Sequence, residues 1–159
     1  MTLEERRRYL ISSQKKKNWF DLSKVTLVAN DVYSANRAYG YKDGEKLISN
    51  YGQYAIGTYL YDSRTILPKG DYTLSFTVYA PSVHGLRYRV AIYESNSNIT
   101  RIAQDIKWDL PPKVYKDYTL SFSLSEEATV VIGMQGVGDA SNYLTMKYEF
   151  TNIRIEKVG

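Results

Sequence analysis

Large apolar residues alternate with small polar ones along most of this chain. The clearest case is DYTLSF, written at residues 71–76 and again at 117–122. In the first copy Tyr72, Leu74, Phe76 and Val78 fall on one side of an extended strand, with Thr73, Ser75 and Thr77 on the other. In the second, Tyr118, Leu120, Phe122 and Leu124 oppose Thr119, Ser121 and Ser123. A period of two with bulky residues on one side marks a half-buried strand, whose pleated surface suits β-branched and aromatic side chains. Residues 25–30, one such interval earlier, read VTLVAN and share no letter in register with DYTLSF. A repeat architecture would need related copies there, so the duplication instead predicts two strands with equivalent jobs on opposite sides of one core.

The same alternation predicts strands over residues 25–29, 53–61, 72–80, 86–94, 99–108, 114–124, 128–135 and 143–158. Turn signals separate them, and Pro68-Lys69-Gly70-Asp71 and Pro111-Pro112 each stop the chain shortly before a DYTLSF strand. In the last strand Met146, Tyr148 and Phe150 share one parity while Ile153 and Ile155 have the other. One extra residue near Thr151–Asn152 would keep both sets inward, which predicts a β-bulge there. Short strands at this spacing, without a long helical pattern, predict an all-β, two-sheet antiparallel β-sandwich. Tyr72, Leu74, Phe76, Leu120, Phe122, Val130, Ile132, Met146 and Phe150 are its expected core.

Only the start of the chain reads differently. Residues 2–13 (TLEERRRYLISS) predict a short helix opened by a capping box between Thr2 and Glu5. Leu3, Leu10 and Ile11 make too narrow an apolar stripe for it to be stable alone, so it is expected to mediate attachment or self-association. Residues 1–17 are therefore read as helix and linker, and residues 18–159 as the sandwich.

Charge sharpens that division. The net charge is +4, and the first eighteen residues hold six Lys or Arg against two Glu, which accounts for all of it. The remainder carries 15 basic and 15 acidic residues and lacks the phosphate-neutralising stripe of a nucleic-acid binder. No stretch of 18 apolar residues predicts a membrane span, and no apolar segment at the start predicts a secretory signal. There is no cysteine and a single histidine, His84, in a turn-like PSVHGL, so zinc ligation and the usual nucleophilic triads lack their parts. No phosphate-binding glycine motif is present either, and the expectation is a protein that is not an enzyme.

Tyrosine is the anomaly, with 16 residues against four Phe and two Trp. It offers a flat apolar ring and a hydroxyl at small entropic cost, the combination that binding surfaces favour. Parity places Leu86, Tyr88, Val90 and Ile92 inward, leaving Arg87, Arg89 and Tyr93 outward, and it sends Tyr59 and Tyr61 outward as well. Tyr59, Tyr61, Arg87, Arg89 and Tyr93 thus form the candidate binding set, with ring faces for the C–H side of a sugar and donors for its hydroxyls. An exposed strand face with scattered aromatics, or a contact with another subunit, fits the same residues. The Tyr-rich stretch 33–61, with Tyr33, Tyr39, Tyr41, Tyr51 and Tyr54, reads as a binding rim or as a connection packed across the sandwich.

The opening NWFDLSKVT, the central LPKGDYTLSFTV, the strand VYKDYTLSFSL and the closing FTNIRIEKVG occur in an order with a precedent. Together they make residues 18–158 resemble the jelly-roll carbohydrate-binding modules of bacteriophage tail and baseplate proteins and of glycoside hydrolases. Tyr115 stands where such modules often carry Trp in a Trp-Lys-x-Tyr start. The resemblance implies a galactose-binding-like jelly roll, saccharide binding on a concave face and a structural calcium (Ca2+) near the chain ends, for which Asp21 and Glu156 are the candidate ligands. It further implies a non-catalytic virion module that adheres to host cell-wall saccharide, assembles in the bacterial host cytoplasm and joins other tail proteins through the helix. A structural or assembly domain contacting other virion proteins is the alternative.

Overall fold

The computed structural model describes residues 1–13, 16–27, 40–50, 61–63, 65–80, 85–95, 98–137 and 147–158. Helix α1 spans Leu3–Ser13 and opens with the reciprocal bonds of a capping box. The Thr2 backbone N–H donates to Glu5 Oε2 at 2.8 Å, and the Glu5 N–H donates to Thr2 Oγ1 at 3.1 Å. Its exposed face carries an Arg8–Glu4 ion pair at 3.0 Å, one turn apart.

Eleven strands follow among the described residues: β1 Val25–Leu27, β2 Gly40–Asp43, β3 Lys46–Asn50, β4 Tyr61–Ser63, β5 Thr65–Leu67, β6 Gly70–Tyr79, β7 Gly85–Ser95, β8 Asn98–Lys107, β9 Tyr115–Leu124, β10 Ala128–Val137 and β11 Lys147–Lys157. A five-stranded sheet has the order β2-β3-β11-β6-β9 and a four-stranded sheet the order β5-β10-β7-β8, with every pairing antiparallel. β1 and β4 pair with each other, and β4 runs against β10. This is the expected sandwich with a short N-terminal helix.

The two DYTLSF strands do not lie on opposite sides of the core. They are neighbours, β6 paired antiparallel with β9, so that Tyr72 meets Phe122, Leu74 meets Leu120 and Phe76 meets Tyr118. Antiparallel pairing of two like segments produces a local pseudo-dyad through the Leu74–Leu120 pair. The outer face repeats it: Ser123 Oγ donates to Asp71 Oδ1 and Thr77 Oγ1 donates to Asp117 Oδ1, each at 2.6 Å. Identical alternation fixes which face is buried, while the choice of neighbour depends on connections that alternation does not record.

The core fills between the sheets. Tyr72, Leu74, Phe76 and Val78 from β6 meet Leu86, Tyr88 and Val90 from β7 and Val130, Ile132 and Met134 from β10. Phe76 is central, edge-on to Tyr88 at 5.1 Å and to Phe150 at 6.0 Å between ring centroids. Of the expected core, Leu120 is half-buried on the edge strand and Met146 lies outside the described residues.

The bulge in β11 is where the sequence places it. Thr151 pairs with Thr77 and Arg154 with Ser75, so Asn152 and Ile153 together oppose Phe76. Asn152 takes the left-handed conformation (φ 52°), which Asn tolerates better than most residues. Phe150, Ile153 and Ile155 are all buried as a result. Directly beside the bulge, Asn18 clasps the chain start to β11. Its Nδ2 donates to the Ile153 carbonyl at 3.1 Å, and its Oδ1 accepts from the Ile155 N–H at 2.9 Å and the Phe20 N–H at 3.0 Å.

The β2–β3 hairpin was not anticipated, since residues 33–61 read as a connection. Its signal is Gly44, the first of the two loop residues between Asp43 and Lys46, which supplies the positive φ of 60° that the tight turn needs.

Candidate functional site

Two outer faces flank the core, and they differ in chemistry. The five-stranded sheet presents hydroxyls: Thr73, Ser75 and Thr77 of β6 pair with Ser121, Thr119 and Asp117 of β9. Part of this face is a shallow depression of about 250 Å³ lined by Lys16, Thr73, Ser75, Thr119, Glu156 and Lys157. It has donors and acceptors but no ring. At the far end of the face, Tyr79 packs on Tyr115 with centroids 5.1 Å apart, and Tyr115 is 58 % exposed. The aromatic at position 115 thus belongs to the five-stranded sheet.

The other face belongs to β10, β7 and β8. Register places Arg87 opposite Ile106, Arg89 opposite Gln104, Ala91 opposite Arg101 and Tyr93 opposite Ile99. Cross-strand partners point to the same side, so Arg87, Arg89, Tyr93, Arg101, Gln104 and Ile106 share one surface. Parity therefore assigns Arg87, Arg89 and Tyr93 to the side away from the main core, as expected, but not all of them to an open one. Arg89 is only 2 % exposed, and Ala91 and Val131 beside it are also buried, with Tyr93 packed half-buried against them. The expectation that Arg89 stands exposed is corrected, since the middle of this sheet is buried on both faces, while Tyr93 keeps part of its surface open. The runs Val90-Ala91-Ile92 and Val130-Val131-Ile132 are the signal, because a strand buried on both faces loses its alternation.

Arg87 is half-buried, and its Nε is fully buried without a hydrogen-bond partner. Loss of solvent around the guanidinium, and then the like charge of Arg101, lower its pKa below the ordinary arginine value. Arg101 itself is exposed and donates through Nη1 to Gln104 Oε1 at 2.8 Å. Alternation alone did not single out Arg101 and Gln104. A register shift in β8, where Ile102 is the extra residue between the partners of Val90 and Ala91, changes which parity faces outward.

Tyr61 opens β4, which runs beside β10, and it pairs with Leu27 of β1. Tyr59, Tyr33, Tyr39, Tyr51 and Tyr54 lie outside the described residues.

On the inner side of β8, Asp105 accepts from the Tyr88 hydroxyl at 3.1 Å and pairs with Lys107 at 3.0 Å. The Lys107 contact, with help from the Ile106 N–H and the Tyr88 hydroxyl, holds the Asp105 carboxyl below its ordinary value, against a smaller opposing effect of burial. Burial, and then this hydrogen bond, push the Tyr88 hydroxyl well above the usual tyrosine range. Both groups stabilise the sandwich edge.

The candidate calcium ligands are occupied by protein. Asp21 Oδ1 accepts from Ser23 N–H and Oγ at 3.0 and 2.6 Å, capping the short 3₁₀ turn Leu22–Lys24. Glu156 Oε1 accepts from Arg154 Nε at 2.8 Å. Among the described residues no three acidic, His or Cys side chains gather.

No protein-family model matches the chain, and no curated protein matches it in sequence. Solved structures do share its fold. A structure described as CBM4, a carbohydrate-binding module, superposes with a TM-score of 0.57 over 84 % of this chain and 86 % of its own, at 10 % identity. The module BiXyn10A CBM1 also gives 0.57, over 91 % of this chain and 97 % of its own, at 14 % identity. The CBM22-1 and GH10 modules of Clostridium thermocellum xylanase 10B, solved with xylohexaose, give 0.51 at 11 % identity, over 91 % of this chain and 27 % of that one. The likeness is one of fold.

Proposed function

We propose that this chain is a non-catalytic carbohydrate-binding domain whose ligand lies across the outer face of β7 and β8. The carrying observation is that Arg87, Tyr93, Arg101 and Gln104 share that one face. The accessible part of the face runs along the edge strand β8 from Arg101 through Gln104 to Ile106, a span of roughly 15 Å, because Arg89 and Ala91 on β7 are buried. A run of sugar rings can lie along it, with one tyrosine ring for stacking and guanidinium and amide groups for the hydroxyls. A fold shared with carbohydrate-binding modules supports the reading. Tyr61 stays in the proposed contact set through the place of its strand beside β10. Affinity at one shallow site is expected near the millimolar level, about −4 kcal/mol, and many linked copies would raise it.

The finer proposal is a module of a bacteriophage tail or baseplate that holds host cell-wall saccharide, attached through α1. It rests on the resemblance of the two chain ends to such proteins. The assembly reading has its own support: Trp108, Val114 and Tyr115 are all exposed around the Pro111-Pro112 turn, a surface suited to a protein contact. Affinity electrophoresis of the full chain through gels containing polysaccharides tests the main proposal. Retardation by at least one polysaccharide supports it, and no retardation across neutral and acidic gels, with Trp108→Ala disrupting self-association or a protein complex, would favour assembly.

A further inference from the structure

The outer face of the four-stranded sheet is more basic than a neutral-sugar site requires. Arg87 and Arg101 project to it from adjacent strands, with Arg89 buried between them and already engaged. The described side chains that share it at paired register positions are Ile66, Thr129, Val131, Tyr93, Gln104 and Ile106, none of them acidic. Glu94, exposed at the end of β7, is the nearest acid along that strand. This concentration sits on a body whose charges balance overall.

Arg87 makes the stronger point. A buried N–H without an acceptor costs about 1–3 kcal/mol, more for a charged group, so such a group calls for a partner that the described chain does not provide. Arg101 bonds Gln104, which faces Arg89, and so reaches along β8 toward Arg87 rather than away from it. Arg87 and Arg101 are like charges on one face, and an oxyanion beside both would offset their repulsion. Guanidinium is suited to that task, since its planar fork matches carboxylate and phosphate oxygens.

We propose that the saccharide bound on this face is an anionic one, carrying a carboxylate or phosphate group that Arg87 and Arg101 hold together. The inference rests on the carbohydrate-binding reading, whose ligand class it narrows. Arg87 provides the desolvated contact and Arg101 the exposed one, and Tyr93 receives a neighbouring sugar ring.

The test is titration calorimetry of the full chain with three polymers: polygalacturonate, a phosphate-bearing mannan and neutral dextran, each at 50 and 500 mM salt. The expected result is binding to polygalacturonate or phosphomannan and none to dextran, weakened severalfold at high salt because exposed charges are screened. A carboxylate source and a phosphate source are told apart by which of the two polymers binds. Arg87→Gln should lower the affinity about tenfold or more, as expected for a charge-assisted bond. Arg101→Gln, an exposed substitution that leaves folding intact, should lower it two- to fivefold. Salt-independent binding to dextran, unchanged in Arg101→Gln, would overturn the anionic ligand and leave the carbohydrate reading standing. No binding to any of the three overturns the anionic proposal, and the electrophoresis above then decides the broader reading separately.

Discussion

Removing the Asn18 side chain should destabilise the sandwich far more than its half-buried place at the chain start suggests. One amide makes three bonds to backbone: Nδ2 to the Ile153 carbonyl, and Oδ1 to the N–H groups of Ile155 and Phe20. Two of these residues are in β11 at and just past the bulge, beyond the end of its pairing with β3, where the backbone groups on that side are satisfied outside the ladder. Each bond contributes about 0.5–1.5 kcal/mol net, and an orphaned buried N–H costs about 1–3 kcal/mol. Asn18→Ala is therefore expected to cost about 2–3 kcal/mol, or roughly 4–12 °C in melting temperature for a domain of this size. Asn18→Asp keeps both Oδ1 acceptor contacts but turns an anionic oxygen toward the Ile153 carbonyl, so at neutral pH it should cost at least as much as the lost donor bond, about 1 kcal/mol or more. Urea unfolding followed by tryptophan fluorescence measures both, with an unchanged m-value required for the comparison. A loss below about 0.5 kcal/mol for Asn18→Ala would refute the clasp and leave the bulge supported by packing alone.

Phe76→Ala should cost about 3–5 kcal/mol, because the ring is buried and edge-on to both Tyr88 and Phe150; urea unfolding checks this, and a cost under 1.5 kcal/mol would show that the core collapses around the gap. Asp105 is held below its ordinary value chiefly by Lys107, so its stabilising effect is complete above about pH 4 and lost as pH falls through the folded value. Asp105→Asn should accordingly flatten the acid limb of the stability–pH curve below about pH 4, which melting temperatures from pH 2 to 7 would reveal. Deleting residues 1–15 should leave the sandwich folded, since the clasp to β11 begins at Lys16, whose carbonyl accepts from Arg154, and at Asn18; circular dichroism before and after deletion reads the outcome.

Alternation makes the sandwich legible because burying one face of a strand imposes a period of two that no other arrangement of Tyr72, Leu74, Phe76 and Val78 satisfies. The break of parity between Phe150 and Ile153 locates the bulge for the same reason, and the capping box is legible from Thr2 and Glu5 because it is wholly local. What alternation misses is which strands become neighbours: the DYTLSF strands pair with each other, a fact carried by the chain between them. The binding face is only half legible. Parity puts Arg87 and Tyr93 on the outer side, but Arg89 is buried because the β7–β10 seam is covered on both faces, and Arg101 and Gln104 depend on a register shift at Ile102. The β2–β3 hairpin was hidden by tyrosines, although Gly44 marks its turn.

The most direct test of a saccharide lying across β7 and β8 is a nuclear magnetic resonance titration of the isotopically labelled full chain with oligogalacturonate. Amide and side-chain shifts should concentrate at Arg87, Tyr93, Arg101 and Gln104, while Thr73, Ser75, Thr119 and Ser121 on the opposite sheet stay in place. Shifts confined to that hydroxyl face would contradict it, whereas no shifts at millimolar oligogalacturonate would overturn the anionic ligand.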